Sequence, residues 1–184
     1  SIVTQREILT TACMITSWAS QRKPALLHEN PFENFKLPKT PEHLFDYWTI
    51  EQEDKFLDWL QETKPDIVCL QETKAAVDQL SESLLSAHGY HTYFHSAEKR
   101  GYSGVATYCK SLPLYVQEGL GIERFDREGR VLLTEHKNFL LYNIYFPNGQ
   151  KDDERLQYKL DFYDDLLEII NEQVESGMNV VVTG

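Results

Sequence analysis

The sequence predicts an α/β fold in which helices are layered on a central sheet, and three observations carry that prediction. From Glu51 onward, helix-like and strand-like patterns alternate along the chain. "DIVCLQ", 66–71, is a short unbroken apolar run of the kind that forms a strand buried on both faces. Between Asp153 and Ser176, Leu156, Leu160, Tyr163, Leu167, Ile170 and Val174 recur at helical spacing, and Gly177 ends the run.

The remaining elements follow in order. "DKFLDWLQET", 54–63, puts Phe56, Leu57 and Leu60 on one helical face, and Lys64-Pro65 closes it. "AVDQLSESLLSAHG", 76–89, places Val77, Leu80, Leu84 and Leu85 on a helical stripe that stops at Gly89. Four strand candidates come next: "YHTYFHS", "GVATYCK", "RVLLTEH" and "FLLYNIYF". "NVVVTG", 179–184, is a last buried strand. Hairpin-like strands in the middle and strand–helix–strand units at the ends argue for a mixed sheet rather than a pure parallel one. Residues 1–50 differ. "EILTTACMITSW" suits a strand, whereas "KPALLHENPFENFKLPKTPEHLFDYWT" holds four prolines and no clean period, so this part is expected to be an irregular insertion.

Composition narrows the function classes. Hydrophobic residues at 41%, with 12% aromatics, supply a core and exclude a disordered chain. A formal net charge of -11 argues against holding nucleic acid by bulk electrostatics, though not against a local basic strip beside an acidic metal site. Cys13, Cys69 and Cys109 are scattered, a poor disulfide framework and a poor zinc site, and a reducing compartment suits them. No apolar run approaches the ~20 residues of a membrane span, and no leader pattern opens the chain, so a soluble protein without membrane association is expected.

Several stretches carry side chains with chemistry. "DIVCLQETK" ends a buried strand with Gln71, Glu72, Thr73 and Lys74, at the rim where open α/β sheets place their sites. Glu72 there suits a metal ligand or, equally, an acid capping the next helix. In "FLLYNIYFPNG" Asn143 and Tyr145 share a strand face, Pro147 stops the ladder and Asn148-Gly149 turns the chain, a pattern that strand and turn preferences alone also explain. "EKRGYSGVATY" sets Lys99, Arg100 and Tyr102 among glycines, fitting a loop that approaches a phosphate backbone or a solvated hairpin loop. "ERFDREGR" offers Arg124, Arg127 and Arg130, but Glu123, Asp126 and Glu128 nearly cancel them. His91, His95 and His136 read as strand-surface residues.

Together and in this order, "PDIVCLQETK", "KRGYSGVATY", "GIERFDREGRVLL" and "LLYNIYFPNG…ERLQYKLDFYDDLL" resemble the exonuclease III family of DNA-repair nucleases, the abasic-site endonucleases. The likeness runs from about Phe56 to Gly184. It implies a four-layered α/β sandwich, two mixed sheets flanked by helices, of which 51–184 is the N-terminal half and the C-terminal half is missing. It implies Mg²⁺-dependent hydrolysis of DNA phosphodiesters (Mn²⁺ serving as well) on the 5′ side of abasic sites, with 3′-to-5′ exonuclease activity. The implied partner is double-stranded DNA with abasic or damaged 3′ sites, with no obligate protein partner. The implied location is cytoplasmic, at the nucleoid in a prokaryote or nuclear in a eukaryote. Carried over residue by residue, Glu72 is the metal ligand, Tyr145 bonds the scissile phosphate and Asn148 contacts it. Lys99, Tyr102 and Arg130 face the DNA backbone.

Two departures qualify the likeness. The family continues after the strand-ending Gly with Asp-x-Asn, whose Asp serves the attacking water, and with a later catalytic His; this sequence reads only as far as Gly184. The expectations are that this chain alone does not cleave at abasic sites, and that its sheet has an open, association-prone apolar face. Upstream, the family's Ser-Trp-Asn segment is matched only by Ser17-Trp18, after which Ala19 offers a metal no oxygen. A metal-dependent phosphoesterase with an inositol-phosphate or lipid-headgroup substrate, and a catalytically silent DNA-binding protein, are the alternatives.

Overall fold

The computed structural model describes Ile15, Thr16, Gln21, Glu29 and residues 49–184. Cys13, Ala19, most of the expected strand at 7–18 and most of the proline-bearing segment lie outside the described residues; within the expected strand, Ile15 and Thr16 are helical. The chain divides between Asp46 and Tyr47, and the account below concerns the unit that follows.

Its elements are α1 (Ile50–Thr63), β1 (Ile67–Gln71), a single 3₁₀ turn (Val77–Gln79), α2 (Glu82–Leu85), β2 (His91–His95), β3 (Val105–Cys109), β4 (Tyr115–Glu118), α3 (Glu123–Asp126), β5 (Val131–His136), β6 (Phe139–Ile144), α4 (Asp153–Glu175) and β7 (Val180–Thr183). Thr49 starts α1 with a capping box shared with Gln52, and Lys64 in the left-handed region ends it. Asp152 caps α4, accepting from the Arg155 backbone N–H at 2.8 Å.

Two sheets form. One is antiparallel throughout, in the order β1-β3-β2; the other runs β4-β5-β6-β7, with β6 and β7 parallel. Only the second is mixed, because only β6 and β7 are joined by a crossover helix, α4, whereas the first sheet returns through loops. The helix α1 covers the outer face of the first sheet, where Leu60, Phe56 and Leu57 meet Val68, Leu70, Ala106, Tyr108 and Phe94. Residues Phe162 and Leu166 of α4 cover the outer face of the second, against Val131, Leu133, Tyr142 and Ile144. The layers are therefore helix, sheet, sheet, helix.

The space between the sheets is partly polar. Asn143 of β6 is completely buried. Its Nδ2 donates to Ala106 O (2.8 Å), Thr107 Oγ1 (3.1 Å) and Leu70 O (3.3 Å), and its Oδ1 accepts from Gln71 Nε2 (2.7 Å). This one amide ties β6 to both β1 and β3. A second tie is His95, whose Nδ1 lies 2.8 Å from Val131 O, so this histidine is buried rather than on the strand surface.

Three expectations change. The stripe at 76–89 is no single helix: Leu80 and Ser81 are extended, and Ser81 caps α2 by accepting from Leu84 N, so a good N-cap residue splits the run. The strand β4 was not anticipated, because "YVQE" sits behind Pro113 and lacks an apolar run. On α4, only Tyr163 and Ile170 of the apolar stripe legible in the sequence pack against the sheet's core, whose contact centres on Phe162 and Leu166. No helix among the described residues is long and apolar enough to cross a membrane.

Replacing Asn143 by Leu strands two backbone carbonyls and two side chains in the inter-sheet layer. It is expected to lower unfolding free energy by about 2–4 kcal/mol in urea titrations; an unchanged midpoint would remove Asn143 from its place as the tie between the sheets.

Candidate active site

The rim of both sheets at the ends of β1 and β6 gathers the chemistry. After Gln71 the chain twists sharply: Glu72 and Lys74 have φ of 59° and 52°, as does Ser103 opposite them at 50°. Such left-handed conformations cost a non-glycine residue of order 1 kcal/mol or more and persist where surroundings over-determine them. Here the surroundings are two backbone bonds that extend the β1–β3 pairing, Thr73 N to Gly104 O (3.2 Å) and Lys74 N to Ser103 O (2.7 Å). Gly104, at φ +92°, is required: a Cβ there would stand 2.3 Å from Thr73 Oγ1. The twist brings the Glu72 side chain across to the second sheet.

There the Glu72 carboxylate lies beside the Tyr145 phenol, and Lys74 Nζ stands 3.0 Å from its Oε1. The Lys74 ammonium first, then the Tyr145 hydroxyl and the Arg130 charge, hold the Glu72 carboxyl below its ordinary value. Burial, reinforced by the Glu72 charge, pushes the Tyr145 phenol up, so it remains a donor at neutral pH. Both effects favour the same arrangement: an anion beside a protonated phenol.

Behind Tyr145 lies Arg130, buried and fully engaged. It donates to Tyr145 O (2.9 Å), to Tyr102 Oη (2.9 Å) and to Glu128, and its guanidinium sits 5.1 Å and 5.5 Å from the Tyr145 and Tyr102 ring centroids. Arg155, from the first turn of α4, grips Glu128 with two bonds of 2.7 Å and 2.6 Å and also donates to Tyr102 Oη at 3.1 Å. Burial raises the Glu128 carboxyl, but the Arg155 and Arg130 hydrogen bonds outweigh it and leave the group below its ordinary value. Two guanidinium groups thus share one carboxylate, leaving one net positive charge beside the Tyr102 phenol. Gly129 makes this possible: it has φ +58°, and a Cβ would collide with the 96–97 backbone at 2.3 Å.

Of the residues singled out from sequence, the structure joins Glu72, Tyr145, Arg130, Tyr102 and Lys99 in one chain of contacts; the Lys99 ammonium lies 5.4 Å from the Tyr102 ring centroid. Asn148 stands apart, exposed, its Oδ1 accepting from Gln150 N at 2.9 Å in a tight turn. Arg130 does not present a free cation to solvent, since its side chain is 3% exposed; it acts on the rim through the two tyrosines. Lys74, Glu128 and Arg155 were missed. Their signal was present in the quoted stretches, but "EGR" reads as cancelling charges unless Arg155 of "ERLQY" is known to lie against it. The remaining charges of "ERFDREGR" are spent structurally, Arg124 on Asp161 and Asp165 and Arg127 on Glu123. The thiols of Cys69 and Cys109 are pushed up by burial, to about 11 and about 12, and are inert.

Comparison with known proteins accords with this geometry. The model of the Endonuclease/Exonuclease/phosphatase family matches residues 50–184. The exodeoxyribonuclease of Bacillus subtilis (strain 168) is 41% identical over 117 residues, 64% of this chain and 45% of that protein. DNA repair nuclease APEX1 of Danio rerio is 45% identical over 105 residues, 56% of this chain and 34% of that protein. The structure of an AP endonuclease from Archaeoglobus fulgidus aligns with a TM-score of 0.61 at 32% identity, over 71% of this chain and 50% of that one. The chain spans less than half the length of these curated relatives. On a match that extends from the first helix to the last strand, this chain belongs to the Endonuclease/Exonuclease/phosphatase family and, within it, to the exonuclease III and AP endonuclease group.

Proposed function

We propose that this chain serves metal-dependent hydrolysis of DNA phosphodiesters, on the 5′ side of abasic sites and at 3′ ends, and contributes to it the Glu72–Tyr145 rim. The observation that carries the reading is the carboxylate at the strand end, 3.0 Å from the Lys74 ammonium and beside a protonated phenol that Arg130 backs at 5.1 Å. A carboxylate that already draws an ammonium to 3.0 Å is an oxygen donor of the kind a hard divalent cation takes. Among the described residues no group of three His, Cys, Asp or Glu surrounds it. A carboxylate oxygen is the donor type that Mg²⁺ or Mn²⁺ takes, with several waters completing the shell. Glu72 would hold the cation, whose charge, when bound, offsets charge growing on the phosphate and the leaving oxygen.

The other roles follow from exposure. Tyr145 is half-buried and protonated, placed to donate to a phosphate oxygen as negative charge develops. Lys99 is exposed and Tyr102 half-buried, so these two meet the DNA backbone, with Asn148 on the turn beyond Tyr145. Arg130 and Arg155 fix Tyr102 from behind.

Glu72→Gln is expected to weaken Mn²⁺ binding, read by electron paramagnetic resonance, by about tenfold or more. Lys99→Ala is expected to weaken binding of an abasic duplex, read by fluorescence anisotropy, and to lower the salt slope by about one. Equal Mn²⁺ affinity in the Glu72 variant would defeat the metal assignment. Release of phosphate from an inositol phosphate or sphingomyelin, with no duplex binding, would transfer the site to those substrates.

The Glu128 pairing predicts a pH dependence. Its folded-state value is lowered, so its contribution to stability is present above the ordinary glutamate value and lost as pH falls through the lowered one. Glu128→Gln is therefore expected to flatten the loss of thermal stability between about pH 5 and about pH 3. Parallel profiles for the two proteins would show that the pairing contributes nothing.

A further inference from the structure

The Tyr102 oxygen is held by two donors at once. Its Oη accepts from Arg130 Nη2 at 2.9 Å and from Arg155 Nη2 at 3.1 Å. A phenol oxygen accepts in two directions and carries one hydrogen, whereas a guanidinium can only donate. With both acceptor directions taken, the hydroxyl hydrogen has to point away from the two arginines. Among the described residues no oxygen takes that hydrogen. Tyr102 is only half-buried, which leaves its hydroxyl a way out at the rim.

The two arginines are fixed differently. Arg130 stands just before β5 and spends its other donors on Glu128 and on Tyr145 O, contacts that do not involve Tyr102. Arg155 comes from the first turn of α4. Glu128 aims both of its terminal nitrogens, at 2.7 Å and 2.6 Å, and its guanidinium lies 4.0 Å from the Tyr158 ring centroid. Its side chain is 19% exposed, so its donors serve the inside of the rim rather than solvent. Without Arg155 one acceptor direction on Tyr102 Oη would be open, and the phenol could accept from a ligand or water as readily as donate.

From this geometry we propose that Arg155 is a positioning residue for DNA binding: with Arg130 it fills the acceptor side of the Tyr102 oxygen and commits the phenol to donate to a phosphodiester oxygen. This role rests on the proposed function of the rim, in which Tyr102 meets the DNA backbone. A phosphodiester offers oxygens and no hydrogen, so a tyrosine with a fixed outward hydrogen matches it. A ligand group that must itself donate is refused.

A double-mutant cycle of Arg155→Lys and Tyr102→Phe tests the role, with binding of a fluorescein-labelled abasic duplex read by anisotropy at fixed salt. Lysine keeps the charge beside Glu128 but lacks the planar fork that reaches both carboxylate oxygens and the phenol. Tyr102→Phe is expected to weaken binding about tenfold and Arg155→Lys about fivefold, with the double variant no weaker than Tyr102→Phe alone. A merely structural Arg155 would instead weaken binding equally in the tyrosine and phenylalanine backgrounds. Placing 4-aminophenylalanine at position 102, which keeps a hydrogen to donate, is expected to recover most of the affinity that phenylalanine loses. That measurement does not depend on the stability of an Arg155 variant. Losses that multiply in the double variant, an Arg155→Lys protein that binds as tightly as the unaltered chain, or no recovery with the amino side chain each overturn the proposal. Absence of duplex binding by the unaltered chain would remove the proposed function of the rim, and this role with it.

Discussion

The hydrogen bonds of one buried amide hold the two halves of this site in register. Glu72 leaves the end of β1 in the first sheet, and Tyr145 leaves the end of β6 in the second. Their side chains stay side by side only while the sheets keep their relative position. Asn143, two residues before Tyr145, and Gln71, one residue before Glu72, form the direct link between those strands at 2.7 Å. Apolar packing between sheets is non-directional and tolerates sliding. Hydrogen bonds to Ala106 O, Thr107 and Leu70 O do not, because each lost bond leaves a buried polar group unpaired.

The electrostatics of the rim rest on pairing inside rather than on charge outside. The chain has 29 acidic and 18 basic residues, yet the region around Tyr102 is locally positive because Arg130 and Arg155 share Glu128. With Arg130 and Arg155 largely buried, their donors are spent on fixed acceptors, and a buried guanidinium without such acceptors would cost far more than the pairing returns. The consequence is rigidity: Tyr102 Oη receives two N–H donors, and the Tyr145 main chain receives one. An acidic protein can hold a preorganised, locally positive surface in this way without a broad basic patch.

Most of the architecture was legible because its signals are local. Continuous apolar runs gave β1 and β7, short runs rich in strand-forming residues gave β2, β3, β5 and β6, and a capped amphipathic run gave α4. The site was legible as four short stretches, but its assembly was not. Arg155 lies 25 positions after Arg130 in sequence, and only the crossing of α4 over β5 and β6 makes them partners. Burial of Arg130 and His95 was equally hidden, since an arginine or histidine at a strand end reads as solvated until the second sheet is in place. Ser81 misled for the opposite reason: a strong local cap overrode a weaker helical period.

Periodicity identifies that a helix has an apolar face without saying which neighbour the face serves. On α4 the strict three-four seam is the more regular pattern, yet the sheet takes the face built around Phe162 and Leu166. Aromatic bulk explains that choice. Phe162 stacks edge-on against Phe125 and Phe146, and Tyr158 against Phe125, filling the wide space over a twisted sheet that leucines at a/d spacing would leave loose. Consecutive residues 155 and 156 lie about 100° apart around the axis. The first turn of α4 can therefore hold Tyr102 through Arg155 while Leu156, the next residue, faces away from the rim.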